Sequence, residues 1–148
     1  MPARDGKVRQ GHRLLQVGVL LFLYALLLGL AIPSFSLPRL ALSAHLLAIM
    51  QGLFLMVAGL FWPRLKLAPA AALAAFWLLL YGCFATSAAN LLGAAWHAGN
   101  TLLPLAAGAA RGSALQEGVI AAGLRTGGAA LILVLALVAW GLRGSGSD

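Results

Sequence analysis

The chain has 148 residues, 62% of them hydrophobic and 9% charged, with a formal net charge of +7 and a mean hydropathy of +0.97. A water-soluble globular domain of this length carries far more charge, so the composition excludes one and indicates an integral membrane protein. The ten Lys and Arg against three Asp and Glu do not indicate a nucleic-acid binder either, because they are scattered around apolar runs rather than gathered on one surface.

In chain order, segment 1–13 is basic, with Arg4, Lys7, Arg9 and Arg13. The apolar run that follows, 14–32, suffices to cross a hydrocarbon core of about 30 Å, which takes roughly 20 helical residues. It is too long for a signal-peptide core and ends in Ile32-Pro-Ser-Phe rather than at a small-x-small site, so it is read as a retained anchor. Further spans are predicted at 40–62, 67–92 and 119–142. Pro33 and Pro38 bracket the first connector, Pro63 and Pro69 flank the second, and the third connector, 93–116, is the long one. The predicted architecture is all-α: a basic cytoplasmic segment 1–13, a four-helix transmembrane domain 14–142 and a short flexible tail 143–148.

Basic residues set the expected orientation. Four lie in the N-terminal segment, Arg64 and Lys66 in the second connector and Arg143 at the C-terminal end, against Arg39 and Arg111 in the other two connectors. Both termini are therefore expected in the cytoplasm, the protein being multi-pass in a bacterial-type cytoplasmic membrane. One cysteine, Cys83, allows no intrachain disulfide and no thiolate cluster. Zinc-type, Walker, Rossmann and G-x-S-x-G patterns are absent from the sequence, so no metal is expected from motifs.

That threading gathers the unusual polar residues in one leaflet: Arg39, Ser43 and His45 near the outer end of the second span, Asn90, His97 and Asn100 near that of the third, and Arg111, Ser113, Gln116 and Glu117 before the fourth. At about 100° per residue, Arg39, Ser43 and Gln51 fall within about 120° of one another, whereas His45 points about 160° from Ser43. His45 instead joins Ala41, Ala48, Gly52 and Gly59, small residues that let another helix approach closely. In the third span Cys83, Thr86, Asn90, Gly93, His97 and Asn100 form one seam, expected to face the bundle interior. Ser113 and Gln116 have capping-box spacing, and Arg125 is either an interfacial residue or a charge about two turns deep that needs a partner.

Each residue also has a structural reading. His45 serves equally as an interhelical hydrogen bond, the Asn90 seam as packing glue, Glu117 as a capping carboxylate, Gln51 and Thr86 as structural groups, and Arg39 as an interface anchor. His45 and His97 raise a bis-histidine haem, disfavoured because His97 falls several residues above the hydrocarbon boundary and His45 about a turn inside it.

LPRLALSAHL at 37–46, QGLFLMVAGLFWPRLKL at 51–67, LYG at 80–82, LPLAAG at 103–108, RGSALQE at 111–117 and the terminal WGLRG together resemble the small integral-membrane hydroxylaminobenzene mutases, over most of 37–143. The resemblance implies a membrane isomerase that converts hydroxylaminobenzene to 2-aminophenol with no dissociable cofactor. Leu47 departs from it, standing where the family often has glutamate. Under that reading His45 is the acid or base, Arg39 the stabiliser of developing negative charge and Glu117 a further acid. Ser43, Gln51 and Asn90 bind and orient the substrate, with Tyr81, Phe54, Trp77 and Trp96 as aromatic contacts. The alternative is a non-enzymatic four-helix carrier or accessory subunit. Either form is compatible with a homo-oligomer packed through the small-residue stripe.

Overall fold

The computed structural model describes residues 2–143, with side chains from residue 5 onward; the expected tail from 144 lies outside the described residues. Five α-helices follow in order: α1 (Pro2–Ala31), α2 (Pro38–Phe61), α3 (Pro69–Trp96), the single turn α4 (Pro104–Ala107) and α5 (Ala114–Gly141). There is no strand among the described residues, and α1, α2, α3 and α5 are long and apolar enough to cross a membrane.

The helix ends follow local chemistry. Proline opens α2, α3 and α4, where its fixed φ is preorganised and its missing N–H costs nothing. At α5, Ser113 Oγ accepts from the Gln116 amide at 3.3 Å while Gln116 Oε1 accepts from the Ser113 amide at 2.8 Å, the expected capping box. This cap starts α5 several residues before the apolar pattern does. The basic segment is not a separate extension: α1 runs back through it to Pro2, because no proline interrupts the chain there and Asp5 favours a helix N-terminus.

Two antiparallel pairs, α1 with α2 and α3 with α5, are joined chiefly through α2 and α3. In lipid no hydrophobic force drives helices together, so close packing of small residues has to hold them. The α1–α2 seam shows this. A Cβ on Gly11 would lie 2.7 Å from the Gly59 carbonyl oxygen, and one on Gly18 2.8 Å from that of Gly52. Along the same seven-residue steps Ala25 meets His45, so in each pair the two residue numbers sum to about 70. Gly82 and Gly127 approach similarly between α3 and α5. The core contains Leu14, Leu55, Trp62, Leu79 and Val134, all fully buried. Leu20, Leu27, Leu30, Met50, Leu60 and Ile132 are exposed on the outer faces, as lipid contact requires.

The long connector folds over one end of the bundle. Ala107 of α4 packs with Leu40 and Ala41 of α2 and Ala94 of α3, with Phe35, Leu37 and Leu103 around them. This apolar cap covers the ends of α2 and α3 beside the polar residues.

Candidate functional site

The two sides of α2 carry different chemistry. Toward α3 runs a ladder of neutral polar groups. Ser43 Oγ donates to Asn90 Oδ1 at 3.3 Å, and Asn90 Nδ2 donates to the Thr86 carbonyl at 3.1 Å. Gln51 Nε2 donates to Thr86 Oγ1 at 2.6 Å, and Thr86 Oγ1 in turn donates to the Gly82 carbonyl at 2.7 Å. Ser87 Oγ donates to Gln51 Oε1. Gln51, Thr86, Ser87 and Asn90 are all buried, and no buried side-chain polar atom among the described residues lacks a partner. Satisfaction of this kind is what permits polar groups in a low-dielectric interior.

Toward α1 stands His45. Its Nδ1 lies 2.7 Å from the Ala25 carbonyl oxygen. A carbonyl only accepts, so Nδ1 carries a proton, and in the neutral tautomer Nε2 is the nitrogen left with the lone pair. Gly29 makes room for it: a Cβ there would lie 2.7 Å from Cε1 and 2.9 Å from Nδ1. An imidazole tied through Nδ1–H to a main-chain oxygen is oriented either to take a proton at Nε2 or to ligate a metal or haem iron there. His45 is thus the residue that could hold such a group. No cluster of three or more His, Cys, Asp or Glu among the described residues forms a metal cage, so an iron would have to bring its own equatorial ligands. His97 is engaged elsewhere. It caps α3 in the left-handed conformation, with φ of 53°, and its Nε2 is bonded to Ser36 Oγ.

Between α1 and α3 lies an apolar groove of about 490 Å³, lined by Val17, Leu20, Leu21, Tyr24, Phe84, Ser87, Ala88 and Leu91. Ser87 joins it to the polar ladder. Tyr24, next in sequence to Ala25 on α1, lines it from the other wall. Its hydroxyl has no hydrogen-bond partner among the described residues. The volume exceeds that of a single benzene ring bearing a small substituent, and apolar walls with few polar groups characterise small-molecule sites.

Of the residues expected at a site, Ser43, Gln51 and Asn90 are brought together and His45 lies across α2 from them. Three others are not brought in. Arg39 is exposed at the rim, beside Leu37, Ala106 and Gly108, because it sits in the first turn of α2, where the long connector rather than α3 is its neighbour. Tyr81 donates to or accepts from Thr126 Oγ1 at 2.7 Å, on the α5 side of α3. Glu117 is fully engaged: its carboxylate accepts from the amides of Gly99 at 2.8 Å, Asn100 at 3.3 Å, Thr101 at 3.1 Å and Gly112 at 3.1 Å, and from Thr101 Oγ1 at 2.8 Å. Five donors require an acceptor-only side chain, the ionised carboxylate, and it organises the connector. The seam on α3 is interior through Gly93; His97 and Asn100 fall past the helix end.

Ser87 and Tyr24 are the site residues that the sequence reading passes over. Ser87 is legible in the sequence, since Cys83, Ser87 and Asn90 at i, i+4, i+7 make as good a helical row as Cys83, Thr86 and Asn90 at i, i+3, i+7. Tyr24, a single hydroxyl in an apolar run, carries no comparable sign.

The chain is matched over residues 10–143 by the model of the family described as styrene oxide isomerase. Hydroxylaminobenzene mutase HabB of Ectopseudomonas oleovorans is 44% identical over 142 residues, covering 96% of this chain and 85% of that protein. Hydroxylaminobenzene mutase HabA of the same organism is 44% identical over 103 residues, 70% of this chain and 76% of that protein. No solved structure matches significantly.

Proposed function

Because the chain belongs to the styrene oxide isomerase family, we propose that it is a membrane-embedded isomerase, a mutase converting hydroxylaminobenzene-type substrates to 2-aminophenols. The two names describe related tasks. An aryl epoxide and an aryl hydroxylamine each carry a weak bond to oxygen next to a ring, and each isomerises when that bond is polarised away from water.

The reaction gains and loses no atom. The N–O bond breaks, a C–O bond forms at the ortho carbon, the ortho ring proton leaves and the nitrogen gains a proton. The observation that carries the reading is the oriented His45, held against α1 in lipid-buried structure, on the helix whose other side bears a satisfied amide and hydroxyl ladder. Its Nε2 takes the ring proton. Asn90 and Gln51 each have a second amide N–H beyond the one already donated, available to a developing oxyanion. The α1–α3 groove holds the ring, and its apolar walls keep water from the electron-poor intermediate. Arg39 and Tyr81 have no part in this arrangement, and Glu117 holds the connector that closes one end. Were the Nε2 lone pair used for a haem iron instead, that group would supply a Lewis acid to the substrate oxygen, with Nδ1–H and Ala25 fixing the ligand.

The test is turnover of hydroxylaminobenzene by the chain in purified membranes, with a visible absorption spectrum of the same protein. Wild type yields 2-aminophenol and His45→Ala loses activity by two orders of magnitude or more. No product from well-folded wild type overturns the mutase reading. A Soret band present in wild type and absent from His45→Ala moves His45 from base to iron ligand.

Two coarser features belong to the same reading. Both termini lie on the cytoplasmic side, following the basic residues. The chain works as a homo-oligomer, on the evidence of Arg125. Gly123 packs on Ala85 and Ala89, and Gly127 on Gly82 and Thr86, which sets Arg125 level with Thr86 and Gln51, near the middle of α2. There it is exposed, without a partner among the described residues. An arginine at mid-membrane costs roughly 2.5–3.5 kcal/mol on insertion scales. A second copy covering this face with carbonyl or hydroxyl groups removes that exposure. Cross-linking in native membranes should give multimers, reduced in Arg125→Leu; a monomer throughout refutes it.

A further inference from the structure

At the end opposite the connector cap, α1 continues past the end of α2. Gly11 is level with Gly59, two residues before the last residue of α2, so the basic segment is held on a rigid helix. Arg9 and Arg13, four residues apart, share one face of it. Together with Gly6 and Gln10 they line a cavity of about 240 Å³, closed on the α3 side by Leu73, Phe76 and Trp77.

Three polar side chains at this end of the bundle are committed elsewhere, and Asp5, one turn before Arg9, is exposed. Lys7 Nζ donates to the Leu65 carbonyl at 2.8 Å, Gln10 Oε1 accepts from Trp62 Nε1 at 3.0 Å, and the Arg143 guanidinium lies 4.4 Å from the centre of the Trp140 ring. Arg9 and Arg13 have no partner among the described residues, and both are exposed. Two guanidinium groups above a partly apolar wall make an amphiphilic site. Their planar forks match phosphate oxygens, and the exposed Trp77 indole offers a surface to an acyl chain. The cavity lies between two membrane-crossing helices, so a headgroup and its acyl chain can both reach its lining.

We propose that this cavity binds an acidic phospholipid, its phosphate between Arg9 and Arg13 and its acyl chain along Leu73 and Trp77. Basic pockets between membrane helices have this use as a class. The site is separate from the His45 side of the bundle and independent of the mutase reading.

The experiment takes the full chain purified in a neutral detergent. Thermal unfolding and bound lipid, the latter by mass spectrometry, are followed with phosphatidylglycerol, phosphatidylcholine or inorganic phosphate added. Phosphatidylglycerol should raise the unfolding temperature and stay bound through washing, while the other two leave the protein as it is in detergent. In the double variant Arg9→Gln/Arg13→Gln the affinity for phosphatidylglycerol should fall about 30-fold, as expected for two lost cations at an acidic lipid surface. Arg143→Gln, a cation removed at the same end of the bundle, should keep it. Equal binding by wild type and the double variant overturns the site, as does equal loss in Arg143→Gln. A matching shift with inorganic phosphate overturns the lipid as its occupant. Should the double variant not fold, Arg13→Lys supplies the test: it keeps the charge, loses the fork and should bind measurably weaker.

Discussion

Gly29→Ala separates the role of His45 from the stability of the helix pair it sits in. The added Cβ would lie 2.7 Å from Cε1 and 2.9 Å from Nδ1 of His45. Comfortable carbon–carbon contact is about 3.5–4.0 Å, so the ring must withdraw by roughly 1 Å. The bond to the Ala25 carbonyl, now 2.7 Å, then exceeds hydrogen-bond range or loses its angle. Two stability terms oppose each other. An interhelical hydrogen bond in a membrane protein is worth roughly 0.6 kcal/mol, while replacing glycine by alanine inside a helix gains roughly 1 kcal/mol. Net stability should hardly change. Activity has no such compensation, since a misplacement of about 1 Å at a reacting group costs on the order of 100-fold. The assay is 2-aminophenol formation in membranes beside thermal unfolding of the purified protein. Gly128→Ala is the control, because a Cβ there meets nothing within 4 Å. Wild-type turnover in Gly29→Ala would refute the placement of His45 at the reacting centre. Parallel loss of activity and stability would show instead that the α1–α2 seam had come apart.

Two further outcomes follow from the hydrogen-bond pattern. Glu117→Gln leaves one acceptor oxygen where the carboxylate receives five donors, so amide exchange at Gly99, Thr101 and Gly112 should rise by about tenfold or more. Turnover should fall far less than in His45→Ala. Gln51→Leu keeps the volume but removes the bonds to Thr86 and Ser87; it should cost roughly 1 kcal/mol in thermal unfolding, two bonds of the usual membrane size, and raise KM if Gln51 meets the substrate.

What could be read beforehand divides by range. The four spans and the capping box at Ser113 are local, written in hydropathy and in residues three apart. The side of α2 that carries His45 was equally legible, because Ala48, Gly52 and Gly59 mark a packing stripe. The partner surface, Gly11, Gly18, Ala25 and Gly29 on α1, follows only from how the two helices pair. Angular stepping places Arg39 with Ser43 and Gln51, but it does not show what packs there: the folded connector, residues 106–108, takes that place beside Arg39. Tyr81 was avoidable, since nine residues before Asn90 is about 180° round the helix. Glu117 depended on how a connector without periodicity folds, and its five donors come from residues 99–112.

Leu47 acquires a physical meaning in this arrangement. It lies half-buried between Ser43 and Gln51 on the ladder side of α2, where a carboxylate would need a cation at the same depth. The cation nearest in depth, Arg125, is on the outer face of α5, and Arg39 is at the rim. A neutral residue at 47 therefore matches a ladder composed wholly of neutral amides and hydroxyls, already satisfied without it. With Glu117 committed to the connector and Asp5 at the opposite end of the bundle, no carboxylate among the described residues reaches the membrane interior. Proton transfer in the proposed reaction then falls to the imidazole that Gly29 and Ala25 position, and charge development falls to amide and hydroxyl dipoles. Reach and orientation at His45, rather than an acid–base pair, should govern the activity.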